Sequence, residues 1–277
     1  MGSCFANEVR NSFQSLGFPV RPALSPQDLA LFSSFSHEIP AWGVWDERVH
    51  YQWYTPASLH LEAQIAFCPE KVAPRSIFPC TKGGRIVFQD PHRRLVFADS
   101  EENLIRLRAA MDASIRQAFQ HAQAFVFTLG LTEAWWIKAT DLPACAEPDY
   151  GNPESKPFCY FRNLDFASSL HYVENLLGLI RKFRGPEVPI FISVSPIPLA
   201  RTFREKDITV ANLESKSILR TVAGQVTEAC SETIYFPSYE LCVLDPAAFE
   251  PEDGRHVKKA KVQSIIDLFY QAHVKRR

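Results

Sequence analysis

The sequence predicts an α/β fold, a three-layer α/β/α arrangement around a mainly parallel central sheet, and three observations carry that expectation. From about residue 99 onward, apolar stripes at helical spacing alternate with short continuous apolar runs. The runs are bounded by Gly or Pro and have strand length, whereas the stripes have helix length. Strands alternating with helices require crossover connections, which cover a parallel sheet on both faces. In such folds the ligand crevice lies beyond the carboxyl ends of the strands.

The elements follow in order. Ala6 to Leu16 places Val9, Phe13 and Leu16 on one helical face and stops at Gly17, a C-cap residue. Residues 18–98 are proline-rich and aromatic, with Trp42, Trp45, Tyr51, Trp53, Tyr54 and Phe67 close together. This stretch reads as an insertion over the active rim, suited to stacking on sugar rings or enclosing an acyl chain. The competing reading makes the same aromatics the core beneath a long insertion. Within the stretch, Ala57 to Phe67 is amphipathic and helical, and Gly83-Gly84 marks a turn between two short strands. Asp99 and Ser100 can cap a helix from Glu101 to about His121, whose apolar stripe runs through Leu104, Leu107, Met111, Ile115 and Ala118. Ala124 to Leu129 is a buried strand ending at Gly130. A helix from about Asp165 to Phe183 stops at Gly185-Pro186, and Pro189 to Val194 is the next buried strand. A helix from about Ile208 to Cys230, a short strand from Thr233 to Phe236 and a helix from about Lys258 to His273 complete the chain.

The chain of 277 residues is long enough to bury a full core as a single domain. A formal net charge of −1 and a pI near 6.7 exclude a basic field for nucleic acid or an anionic membrane. No apolar run has transmembrane length, and the N-terminus lacks the basic and apolar regions of a signal peptide. Met1-Gly2 begins like a myristoylation site, but position 6 is Ala6 rather than Ser or Thr. Seven cysteines, an odd number without Cys-x-x-Cys, argue against a disulfide framework or a zinc site and for reduced thiols in the cytoplasm. The histidines other than His256 show no metal-ligand spacing. No phosphate-cradling glycine pattern is present, so neither cofactor nor metal is expected.

The chemistry concentrates at Gly2-Ser3-Cys4-Phe5-Ala6. A serine at a helix N-terminus sits among outward-pointing N–H groups, where a nucleophile that develops an oxyanion would be supported. An N-cap role is the plain alternative for Ser3, and Cys4 beside it is a rival nucleophile. A serine hydroxyl needs a base. His256 is the best candidate, with Asp253 three residues earlier able to reach Nδ1 and leave Nε2 toward the serine.

Gly2 to Ala6 matches the signature that names the GSCFA family, and the chain resembles that family through most of its length. The further matches are Phe127 to Trp135, Val194 to Leu199, Ser215-Lys216-Ser217 with Leu219-Arg220, Tyr235 to Glu240, and Asp253-Gly254-Arg255-His256. The family is similar to the SGNH (GDSL-type) ester hydrolases, which carry an Asp-x-x-His just before the last helix. That resemblance implies a serine esterase or O-acyltransferase acting on an acylated glycan or similar ester, with Ser3, His256 and Asp253 catalytic. It implies an oxyanion hole from the Ser3 N–H and the Gly130-Leu131-Thr132 loop, where Thr132 stands in place of the usual asparagine. Gln52 is a further candidate donor. Glu133, Lys216 and Glu240 would bind substrate or tie loops by salt bridges, an ion pair being the expectation for Lys216. In SGNH folds a strand delivers the nucleophile, yet only Met1 precedes Gly2, which leaves a slot beside the central strand to be filled. The alternative function is a catalytically weak binding protein that holds a glycan with the aromatic segment.

Overall fold

The computed structural model describes residues 1–30, 50–148 and 152–274. Phe125, Phe127 and Leu129 alternate with Val126 and Thr128, and that period of two sorts the β4 strand (Phe125–Leu129) between two cores. The first set packs with Ile190, Ile192 and Val194 of β8 (Ile190–Val194) in the main core. On the opposite parity, Phe191 joins a second core with Val126 and Ile234. β8 lies between β4 and β9 (Thr233–Tyr235), and both pairings are parallel, with Leu129 opposite Val194 and Ile192 opposite Tyr235.

Helices supply the other half of each core. The main core takes Leu59 and Ala63 from α2 (Pro56–Phe67) and Leu104 to Phe119 from α3 (Glu101–His121). It also takes Val173 to Ile180 from α4 (Phe166–Arg184) and Leu219 to Val226 from α5 (Ile208–Ala229). The second core takes Phe5 and Val9 from α1 (Cys4–Ser15), Cys242 from α6 (Ser238–Val243), and Val262 to Phe269 from α7 (Lys259–His273). Local chemistry sets the helix ends. Thr55, Ser100 and Asp165 each accept the backbone N–H of the third residue of the helix they begin, and Gly185 ends α4 at φ +86°.

Two antiparallel sheets flank this arrangement, so the mixed α/β fold is less uniformly parallel than the sequence suggests. β1 (Phe78–Lys82), β2 (Arg85–Asp90) and β3 (Val96–Ala98) form one, with Gly83 and Gly84 at φ +56° and +78° in the expected two-residue hairpin turn. The other places β5 (Glu133–Ile137) between β6 (Leu142–Ala144) and β7 (Cys159–Asn163). The sequence pattern does not announce β5, β6 and β7, because Glu133, Arg162 and Asn163 break the runs of β5 and β7 and Pro143 interrupts that of β6.

The slot beside β4 is filled from within the chain. The Met1 amine donates to Val126 O at 2.5 Å, Thr128 N donates to Met1 O at 2.9 Å, and Gly2 bridges Thr128 in parallel. The described part of the 18–98 stretch is built into the main core, where Tyr51, Trp53, Leu59, Val96 and Ala98 are all buried. Trp42 and Trp45 lie outside the described residues. Among the described residues no helix is long and apolar enough to cross a membrane.

Beneath the Tyr51–Thr55 stretch lies a buried charge network. Glu62 accepts from Arg93 Nε (3.2 Å), from Arg93 Nη2 (3.0 Å) and from Trp53 Nε1 (2.9 Å). Asp112 bridges Arg93 to Arg75, while Asp90 pairs with Arg108.

Candidate active site

Gly2 and Gly130 are where side chains are least tolerable, and both positions serve Ser3. At Gly2, φ is +149° and a Cβ would lie 2.4 Å from Thr128 O. At Gly130 a Cβ would lie 2.7 Å from Tyr54 O and 2.9 Å from the Ser3 Cβ. The end of β4 therefore approaches the start of α1 only because both residues lack side chains. The Tyr51–Thr55 stretch braces the same junction: Trp53 N donates to Gly2 O (2.9 Å) and Leu131 N to Tyr54 O (2.7 Å).

Ser3 occupies the N-cap position of α1, but its side chain makes no capping hydrogen bond. The residue is 4% exposed and, among the described residues, Oγ has no partner. The plain N-cap role is therefore not what the hydroxyl performs here. Ser3 and His256 line one cavity of about 390 Å³, at the carboxyl ends of β4 and β8, together with Gly130, Glu133, Trp135, the 195–203 loop and Arg255.

His256 reaches the cavity from the loop before α7. Its Nδ1 is hydrogen-bonded to Asp253 Oδ2, and Asp253 Oδ1 accepts the backbone N–H groups of Arg255 (2.8 Å) and His256 (3.0 Å). The Arg255 N–H, the His256 N–H and the imidazole hold the Asp253 carboxyl well below the usual carboxylate range. Gly254 at φ +62° lets the loop turn tightly enough for these bonds. No hydrogen bond joins His256 to Ser3.

The loop after β4 is held from behind by Lys216. This lysine is 1% exposed, and Nζ donates to Gly130 O at 2.8 Å. The ion pair expected for it is corrected: among the described residues no carboxylate reaches Lys216, and burial alone lowers its pKa from 10.5 to about 7. Its neighbour Ser215 accepts from Thr132 N at 3.1 Å. The Gly130–Leu131 peptide is thus fixed at both its carbonyl and its N–H. Among the described residues the N–H of Gly130 itself has no acceptor, and it belongs to a cavity-lining residue.

The lysine makes a signed prediction. Between about pH 7 and pH 10.5 the unfolded chain binds this proton and the folded chain does not. Stability is therefore expected to rise with pH across that window, by at most about 1.4 kcal/mol per unit. Lys216→Met removes this contribution, so the wild-type-minus-variant difference in urea unfolding free energy should be flat below pH 7 and climb from pH 7 to 9. A difference that stays constant across that range contradicts the assignment.

Of four other expected site residues, Thr132 and Gln52 lie off the cavity lining, while Glu133 and Glu240 take the loop-tying alternative expected for them. Thr132 is fully buried, its hydroxyl donates to Asn163 Oδ1 at 2.8 Å, and it does not line the cavity; the expected oxyanion donor is corrected accordingly. Gln52 sits behind the lining, where Oε1 accepts from Tyr54 OH and from Arg94 Nη1 and lies 3.6 Å from Cys4 Sγ. Glu133 does line the cavity, but its oxygens are taken by Thr202 Oγ1 (2.6 Å), Arg204 Nε (2.9 Å) and Phe203 N (2.9 Å), so it clamps the loop after β8. Glu240 similarly pairs with Arg220 and Tyr235 away from the cavity.

Of the two readings of the aromatic stretch, the core reading describes most of its described members. Tyr51, Trp53 and Phe67 serve the core, and of the described aromatics in that stretch Tyr54 reaches the cavity. The larger apolar surface comes from Trp135 and Phe203, whose rings meet edge-to-face at 5.2 Å. Among the described residues no group of His, Cys, Asp and Glu converges as a metal site, and all seven cysteines are free thiols.

No curated protein and no solved structure matches the chain. The GSCFA family model matches residues 1–269, from the Ser3 junction through His256 and into α7. By that match the chain belongs to the GSCFA family.

Proposed function

We propose that this protein is a serine-dependent esterase or O-acyltransferase of the SGNH-like type, acting on an acylated glycan or similar small ester. The observation that carries this reading is the Ser3 hydroxyl, buried without a cap or partner next to Gly130 in the cavity that His256 lines. The helices on both faces of the parallel sheet support the three-layer arrangement of that class.

In the proposed reaction Ser3 Oγ attacks the ester carbonyl while His256 Nε2 takes its proton. Asp253 fixes the imidazole through Nδ1 and stabilises the imidazolium. The unbonded Gly130 N–H receives the developing oxyanion, with Lys216 and Tyr54 O holding the loop that presents it. Collapse of the tetrahedral intermediate breaks the ester C–O bond, and the imidazolium returns the proton to the leaving alcohol. Water or a sugar hydroxyl then repeats the sequence on the acyl-enzyme. Closing the Ser3–His256 hydrogen bond requires the imidazole, 56% exposed in its side chain, to settle over Ser3 as substrate fills the cavity.

A fluorophosphonate probe tests the reading directly. One adduct is expected by intact mass, mapped to the peptide that carries Ser3 and absent from Ser3→Ala; a folded chain that takes no adduct, or takes it elsewhere, contradicts the proposal. Product analysis with a polyol acceptor separates transferase from hydrolase, since free acid as sole product removes the transferase version. The free thiols fit a reducing compartment such as the cytoplasm.

The second reading, a catalytically weak glycan-binding protein, draws on the open gap between His256 and Ser3 and on the absence of a side-chain amide at Thr132. It predicts thermal stabilisation by ligand that is equal in the wild type and in Ser3→Ala.

A further inference from the structure

We propose that Arg255 is a specificity-determining residue that binds a carboxylate carried by the ester substrate; the inference rests on the acyl-transfer reading for what the cavity is used for. The charges lining the cavity can be accounted for one by one. Three arginines, Arg94, Arg201 and Arg255, face two glutamates, Glu133 and Glu147. Glu133 is consumed by the loop it clamps, and Glu147 is paired with Arg201 at 2.6 Å. The Arg94 guanidinium donates to Gln52 Oε1 at 2.5 Å and lies over the Tyr54 ring at 5.8 Å.

Arg255 is different. Its one side-chain hydrogen bond goes from Nη2 to a neutral acceptor, Pro198 O, at 3.3 Å. Among the described residues no carboxylate pairs with it, and its Nε is buried with no partner. Asp253 forms no ion pair with the guanidinium; its two oxygens hold the Arg255 and His256 N–H groups and the imidazole. A guanidinium has five donors in a planar fork, and this one uses a single donor toward a carbonyl. An orphaned N–H out of contact with water is unfavourable until a ligand or a side-chain turn satisfies it.

A carboxylate is the group that matches this deficit, since it accepts two parallel N–H bonds from a guanidinium and neutralises its charge. A second orphaned donor belongs to the same lining: Trp135 Nε1 is buried without a partner. Around these donors the wall is apolar, with Leu131, Ile197, Leu199 and Phe203. The cavity therefore suits an ester with a short apolar body and one acidic end. Because Arg255 precedes His256 in the chain, that acid would be held within reach of the reacting centre.

The carboxylate could belong to the acyl group or to the alcohol, and two matched pairs of esters distinguish them. Phenyl hydrogen glutarate and phenyl methyl glutarate differ by one charge on the acyl side. The butyrate ester of 4-hydroxybenzoic acid and that of methyl 4-hydroxybenzoate differ by one charge on the alcohol side. Binding is measured by calorimetry to the Ser3→Ala chain, which cannot turn the esters over. In at least one pair the charged ester should bind about tenfold or more tightly than the neutral one. That preference should vanish in Ser3→Ala/Arg255→Gln and survive in part in Ser3→Ala/Arg255→Lys.

No preference in either pair, no binding of any of the four esters, or a preference that persists in Arg255→Gln and is lost in Arg94→Gln would overturn the assignment. Hydrolysis by the wild type is read separately. A charge preference that depends on Arg255 in a chain hydrolysing none of the esters leaves the subsite standing and sinks the acyl-transfer reading instead.

Discussion

Ser3→Ala is expected to lower kcat/KM for a short activated ester by about 10⁴-fold or more, and His256→Ala by a comparable factor. The two act as one unit, nucleophile and base, so the double variant should be no worse than either single variant rather than the product of both losses. Neither substitution should unfold the chain. Ser3 Oγ makes no hydrogen bond, so its removal abolishes a buried orphan and leaves stability unchanged or slightly raised. The His256 side chain is 56% exposed and bonds only within its own loop. Thermal melts within a degree or two of the wild type, with activity lost, would place the effect in chemistry. Turnover that is indifferent to Ser3 would end the esterase proposal, and turnover that requires Cys4 instead would move the nucleophile one residue along the chain.

How much of the fold and site is legible in the sequence depends on the kind of signal. The long helices are readable because their apolar residues recur at helical spacing beside start and stop residues: Ser100 caps where expected, and Gly185 ends α4. β4, β8 and β9 are readable as short, largely apolar runs rich in Val, Ile, Phe and Tyr, since strands of a sheet covered on both faces carry few charged side chains. β5, β6 and β7 are not, because Glu133, Arg162 and Asn163 break the apolar runs of β5 and β7, and Pro143 breaks that of β6. Ser3, Gly130 and His256 emerge from motifs whose geometry is local, a helix start, a strand end and an Asp-x-x-His turn.

What motifs do not convey is where each side chain points. Thr132 lies two residues beyond Gly130, yet it turns inward to Asn163, so an analogy by spacing assigns it the wrong role. Lys216 looks like half of an ion pair because buried charges usually are paired. Its partner is the carbonyl of Gly130, 86 residues away in sequence, and no local pattern marks such a contact. The carboxylate-binding role of Arg255 follows from the other charges of the cavity, which come from loops scattered along the chain between Arg94 and Arg201.

Glu62→Ala is expected to be the most damaging single change to stability, about 3–5 kcal/mol, because it breaks a buried ion pair from one side. Arg93 is wholly buried and Glu62 1% exposed, so the guanidinium would keep only Asp112, itself partly solvated, and the carbonyl of Arg108. Trp53 Nε1 would lose its acceptor in the same step. For a chain of this size such a loss corresponds to a fall in Tm on the order of 10 °C. Glu62→Gln should cost less, since one amide oxygen can still accept from Trp53. The double replacement Glu62→Leu/Arg93→Met should be milder than Glu62→Ala, because it removes both charges together and leaves neither stranded in the core. If the double variant is instead the worse of the two, the pair contributes favourable energy of its own beyond mutual neutralisation. The consequences should extend to the active site. Trp53 also donates its backbone N–H to Gly2 O, so loosening its ring frees one of the braces on the Gly2–Ser3 junction. At temperatures well below the melt, Glu62→Ala is therefore expected to lower kcat for an activated ester while Glu62→Gln does not, and equal kcat in the two variants would show that the brace holds without the ion pair.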